Sequence, residues 1–200
     1  MIIGGFARRL QKHLPAEDPS REMIGPILHE LGRLEQMVAE IEGFTVFLEP
    51  DLKRRDLAQV IDQVLSKAAG VLEQRRISLQ CQIPPHLPQI PLDANLLGQA
   101  LQQLIDNAVD AMPGGGCLTL AVTPEAKGLC LTLKDTGSGI SAADLPYIFD
   151  PFFSSKPHGT GMGLTKVHQI VTDHRGEIQI ASVPGQGTEI SVRLPRWQVK

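Results

Sequence analysis

Apolar residues in the first quarter of the chain recur at helical spacing. Ile2, Ile3, Phe6, Leu10 and Leu14 form one stripe. The segment PAEDPS then breaks it, with Asp18 placed as an N-cap and Pro19 at the first helical position. Beyond it, Ile24, Ile27, Leu31, Leu34, Val38, Ile41 and Thr45 follow at alternating steps of three and four. That is a heptad seam, apolar in all but its last position. Pro26 predicts a bend near the start of this second helix. The short link predicts an antiparallel hairpin. Two helices cannot bury both faces alone, so the hairpin should dimerise or pack on something else.

After Glu49-Pro50 the pattern changes. Leu57, Val60, Ile61, Val64, Leu65, Ala68 and Leu72 predict a helix, and Ile77, Leu79, Cys81 and Ile83 alternate as a strand. PPHLPQIP reads as a loop. Asp93 caps a further helix that runs to about Met112, where PGGG stops it. Leu118, Leu120 and Val122 alternate, then Leu129, Leu131 and Leu133, with a turn around Lys127-Gly128. Ile178 and Ile180, then Ile190, Val192 and Leu194, predict another hairpin. A glycine-punctuated stretch from 135 to 163 leads into a helix ending near His174. The sum is an α+β chain: a helical hairpin over 1–46, then one mixed sheet with helices on one face over 47–200.

Composition narrows the classes. The net charge is -3 with no long basic run, which argues against nucleic acid as a partner. No segment reaches the roughly 18 apolar residues of a membrane span, so no membrane contact is expected. The opening MIIGGFARRLQKHL has its apolar residues before its charges, the reverse of a signal peptide. Cys81, Cys117 and Cys130 are odd in number and widely spaced. They predict plain buried thiols in a reducing, cytoplasmic setting.

Three stretches carry possible chemistry. On the helix from 93, Gln103, Asp106, Asn107 and Asp110 share one polar face. A solvated face is the ordinary reading. The other is metal binding, because an amide carbonyl suits magnesium, which takes few protein ligands and fills its shell with water and phosphate oxygens. In SSKPHGTGMGLTKVH, Gly159, Gly161 and Gly163 alternate just before a helix, with Lys156 upstream. Such a run is either a flexible surface loop or a phosphate loop backed by a helix N-terminus. It has neither the Walker Gly-Lys-Ser/Thr nor the dinucleotide spacing. In KDTGSGI, Asp135 sits just past a strand end. Aspartic proteases carry Asp-Thr-Gly, but they need two carboxylates sharing a proton and this chain has one such motif. The alternative is recognition: a buried carboxylate accepts from the exocyclic amine of adenine and rejects the carbonyl of guanine.

Taken in order, LIDNAVDAM, DTGSGI, FDPFFSSK, GTGMGL and GQGTEISVRLP resemble the N box, first glycine box, F box, second glycine box and closing Gly-x-Gly-Thr of sensor histidine kinases. The resemblance covers roughly 45 to 195, and the hairpin resembles the family's dimerisation and phosphotransfer helices. It implies a two-layer α/β sandwich, the Bergerat ATP-binding fold, with ATP and Mg2+ as cofactors and a mobile lid between the F box and second glycine box. It also implies Asn107 as the magnesium ligand and Asp135 as the partner of the adenine amine. Gly137 and Gly139 would let the base approach, next to Ile140. Phe149, Phe152 and Phe153 would anchor the lid. Lys156 and the backbone of Gly159, Thr160, Gly161, Met162, Gly163 and Leu164 would hold phosphates, and Thr188 would line the adenine pocket.

Two departures stand out. Asp110 replaces the basic residue that many members carry three positions after the Asn, which resembles the nitrogen-regulator and metal-stress sensor branch. Asp110 still belongs to the expected nucleotide-site set. The His-Glu-x-x-Asn-Pro-Leu box with the phosphoacceptor is absent, and His29 stands in no such box. The expectation is therefore a kinase module without its own acceptor, a homodimer through the hairpin, and a response regulator receiver domain as partner. The ATP hydrolases of the wider superfamily carry a glutamate base one turn before the Asn, where this chain has Gln103. A dimeric module whose nucleotide site only regulates shape is a third class.

Overall fold

The computed structural model describes residues 2–15, 18, 20–45, 50–156 and 159–196. Helix α1 spans Ile2–His13 and α2 spans Ser20–Thr45, and the two pack on each other. The Asp18 carboxylate accepts from Ser20 N–H at 2.8 Å, as expected of a cap, while Pro19 lies outside the described residues. Pro26 falls inside α2. Along the seam Ile24 is buried, but Ile27 and Leu34 are about half exposed, at 51% and 49%. Phe6, Leu10 and Met23 are exposed as well. The seam positions Val38, Ile41 and Thr45 fall where no side chain is described.

The second part contains strands β1 (Lys53–Arg55), β2 (Ile77–Gln82), β3 (Ile90–Leu92), β4 (Gly116–Glu125), β5 (Gly128–Asp135), β6 (Glu177–Val183) and β7 (Gly187–Pro195). Its helices are α3 (Leu57–Gln74), α4 (Ala94–Ala111) and α5 (Gly163–Asp173), with a short 3-10 turn at Leu145–Tyr147. One five-stranded sheet runs β2-β4-β5-β7-β6. β2 and β4 are parallel, and the other neighbours are antiparallel. Leu118, Leu120 and Val122 pair with Asp135, Leu133 and Leu131, so the apolar faces of β4 and β5 coincide. Against that face pack the buried stripes of α3 (Leu57, Val60, Ile61, Val64, Ala68, Leu72), α4 (Leu97, Leu101, Leu104, Ala108) and α5 (Val167, Ile170, Val171). This is the two-layer α/β arrangement, and one core holds it.

Four expectations need correction. PPHLPQIP is not all loop, because its end enters β3, which pairs antiparallel with β1. Neither strand has a readable period: each is three residues long, and β3 carries Pro91. On β2 only Ile77 is buried, because this is an edge strand with β4 as its one neighbour in the sheet, and Leu79 is left partly exposed. Cys81 is therefore exposed, and Cys117 half-buried, so only Cys130 is a buried thiol. Among the F-box aromatics, Phe149 lies 5.1 Å from the His168 ring and Phe153 lies 5.9 Å from Tyr147. Phe152 instead stands exposed in the left-handed region at φ 68°.

Candidate functional site

A cleft of about 900 Å³ opens between the end of β5, the second half of α4, the 141–162 segment and the start of α5. Thirteen of the fourteen residues singled out from the sequence line it: Asn107, Asp110, Asp135, Gly139, Ile140, Lys156, Gly159, Thr160, Gly161, Met162, Gly163, Leu164 and Thr188. Gly137 lies beneath the wall, where a side chain would collide with Ala111. A second concavity, of about 790 Å³ on the α3–α4 side, is lined by none of the fourteen.

At one end of the cleft Asp135 is 6% exposed. Its Oδ1 accepts from Gly137 N–H at 2.7 Å and Thr188 N–H at 3.3 Å. Among the described residues, Oδ2 has no donor. Burial raises its pKa above the usual carboxylate value, and the two N–H bonds offset part of that. Apolar walls from Leu133, Ile140, Ile180 and Ile190 surround it. An open, water-poor acceptor between apolar walls suits a flat heterocycle that offers an exocyclic amine.

The wall is set by close backbone packing. Gly139 has φ 69°, and any Cβ there would fall on the Val183 carbonyl. Gly161 has φ 72°, with its Cα against the Phe152 backbone. Glycine alone takes both the dihedral and the approach. Thr136 adds a clip, its hydroxyl accepting from Cys117 N–H at 3.0 Å.

At the other end the polar face of α4 meets Lys156. Its ammonium donates to Asp110 Oδ2 at 2.7 Å and Asn107 Oδ1 at 3.2 Å. Gln103 Nε2 lies 3.5 Å from the same Asn107 oxygen, at the limit of a hydrogen bond. A cation thus already rests on Asn107 Oδ1. Among the described residues no cluster of three acidic, His or Cys groups exists. The Asn107 carbonyl oxygen, which accepts the Lys156 ammonium, suits a hard cation that needs one protein carbonyl and completes its shell elsewhere, as magnesium does beside phosphates. Above it, α5 begins at Gly163 with no side-chain cap, and Met162, Gly163 and Leu164 line the cleft, so the positive end of the helix dipole stands at its edge.

Two groups escaped sequence reasoning. Ser182 Oγ accepts from Ile140 N–H at 2.8 Å and sits 2.9 Å from the Thr188 hydroxyl. A signal existed: Ser182 continues the Ile178, Ile180 alternation, a polar residue on an inward face. His174 is fully buried. Its Nε2 accepts from Asp93 N–H at 2.9 Å, which leaves the ring proton on Nδ1, 2.7 Å from the Ile170 carbonyl.

Comparison with known proteins agrees with this geometry. Residues 92–198 match the family model described as histidine kinase-, DNA gyrase B-, and HSP90-like ATPase. Sensor histidine kinase ZraS of Escherichia coli (strain K12) is 32% identical over 193 residues, 96% of this chain and 42% of that protein. The chain thus spans less than half of this relative. Among solved structures, the mycobacterial sensor histidine kinase MprB superposes with a TM-score of 0.63 at 30% identity, covering 72% of this chain and 97% of that one. The histidine kinase ThkA, in complex with response regulator protein TrrA, gives 0.70 at 22% identity, covering 98% and 57%. The chain belongs to the histidine kinase-, DNA gyrase B- and HSP90-like ATPase family, and within it carries the catalytic ATP-binding domain of a sensor histidine kinase.

Proposed function

We propose that this chain binds MgATP and passes the γ-phosphoryl group to a histidine of the full-length sensor kinase, from which a response regulator receiver domain takes it. The observation that carries the reading is one cleft with an open buried carboxylate oxygen at one end and a cation seat beside a helix N-terminus at the other. Asp135 Oδ2 reads the adenine amine, and Thr188 and Ile140 complete the base pocket. Asn107 holds the magnesium, which neutralises phosphate charge when bound. Lys156 and the backbone from Gly159 to Leu164 take the phosphates. Catalysis in this reading is positioning and charge neutralisation. Residues 1–46 form the dimerisation hairpin and 47–200 the catalytic domain, and two copies meet through the hairpin. The complex of ThkA with TrrA is what suggests a receiver domain as partner.

No residue of this chain is assigned as the phosphoacceptor. His29 is exposed on α2, and the structural job of His174 leaves it unable to serve. Hydrolysis is disfavoured at one position: the group one turn before Asn107 is the amide of Gln103, which cannot take a proton from water. Among the described residues no helix is long and apolar enough to cross a membrane, and we place this module in the cytoplasm, where ATP is.

Calorimetric titration with MgATP, followed by incubation with γ-labelled MgATP and a second chain carrying an acceptor histidine, tests the proposal. Saturable binding with label on the second chain alone, acid-labile and base-stable, is expected. Absence of binding would remove the reading. Steady phosphate release without protein label would place the chain among the hydrolases.

A further inference from the structure

Ser182 lies on β6 and is the register partner of Thr188 on β7. Its hydroxyl meets three groups from two segments, the end of the first glycine loop and the start of β7. Ile140 N–H donates to it at 2.8 Å, the Gly187 carbonyl lies at 3.0 Å, and the Thr188 hydroxyl at 2.9 Å. A serine hydroxyl has one proton and two lone pairs. The Ile140 donor takes one lone pair. The proton then goes to the Gly187 carbonyl while the second lone pair receives the Thr188 proton, or it goes to Thr188 Oγ1. In both arrangements the same oxygen ties the end of the first glycine loop to the closing Gly-x-Gly-Thr. The contact is reinforced next door, where Gly185 N–H donates to the Ser138 carbonyl at 2.7 Å.

Ile140 and Thr188 both line the cleft at its Asp135 end, whereas Ser182 does not touch the cleft itself. We propose that Ser182 is a positioning residue: it fixes Ile140 and Thr188 around the base pocket and thereby sets the preference for adenine nucleotides. This rests on the MgATP reading above. The phosphate end, built from α4, Lys156 and the start of α5, shares none of these hydrogen bonds. The residue should therefore act on the base and leave the phosphates untouched.

The test compares wild type, Ser182→Ala, Ser182→Cys and Ser182→Thr, titrated with MgATP, MgGTP and magnesium tripolyphosphate. Ser182→Ala strands the Ile140 donor and should weaken MgATP about tenfold or more, the usual scale for an unpaired polar group. Tripolyphosphate affinity should stay within about twofold, and the ATP-over-GTP ratio should fall. Ser182→Thr keeps the hydroxyl on a strand position that accepts β-branching and should restore ATP affinity. Should the alanine variant fail to fold, Ser182→Cys carries the test, since a thiol is a poor acceptor and predicts the same ATP-selective loss. Unchanged ATP affinity, or equal losses of ATP and tripolyphosphate, would overturn the inference. A wild type that does not bind MgATP would overturn the underlying reading as well.

Discussion

At residue scale Asp135 is a carboxylate kept from water with one oxygen satisfied and one open. Burial lifts its pKa above 3.8, so the folded state holds this proton more tightly than the unfolded chain does. The sign follows: its contribution to stability falls as pH rises through the range above 3.8, and is recovered on acidification. Asp135→Asn should leave the apo protein as stable or more stable at pH 7.5 by thermal melting, with the difference fading towards pH 4. The same change should weaken MgATP binding by roughly 1–3 kcal/mol. Wild-type affinity should drop on acidification, as this carboxylate takes up its proton above the usual carboxylate range, and that part of the pH dependence should be missing from the variant. A stability gain paired with a binding loss is the mark of a residue kept for ligand rather than fold. The carboxylate itself was legible in KDTGSGI because a glycine turn directly follows a strand end. The state of Lys156 was not, since its ammonium spans 46 residues of sequence to reach Asp110.

At element scale the two helices that frame the cleft are pinned by one imidazole. His174, at the end of α5, caps the backbone of Asp93, which in turn caps α4 through Asn95 and Leu96 N–H. His174→Leu leaves the Asp93 donor without a partner and should cost about 1–3 kcal/mol in chemical denaturation. His174→Gln, whose amide oxygen can reach the Nε2 position, should recover part of that loss. A leucine variant as stable as wild type would show that apolar packing alone holds the joint. The elements differ in how far the sequence revealed them. α4 has a stripe, a cap and a glycine stop, all local signals, and its bounds were readable to a residue or two. β1 and β3 owe their existence to each other across 37 residues, with no period and a proline, so only tertiary pairing creates them. The exposure of β2 is likewise a property of its place at the edge of the strand order, which no alternation along β2 can express.

At the scale of the whole molecule, the buried cluster that joins α3, α4 and α5 to the sheet draws on no described residue of α1 or α2. Removing residues 1–49 should therefore leave MgATP affinity within about twofold by calorimetry. The apolar surface on the hairpin, Phe6 and Leu10 on α1 with Met23, Ile27 and Leu34 on α2, should be what brings two copies together. Sedimentation should find the full chain dimeric and the shortened one monomeric. A monomeric full chain would end the dimer proposal without touching the nucleotide site. The segment from 141 to 162 has a further consequence for the history of such chains. Its feet are fixed, one by the Ile140–Ser182 bond and the other by Thr165, whose hydroxyl donates to the Phe149 carbonyl at 3.0 Å. Between fixed feet, doubling the length of a flexible loop costs only about 0.6 kcal/mol. Insertions in its exposed stretches are nearly free to drift, while a single added methyl group at Gly139, or at Gly161 within the segment, is not.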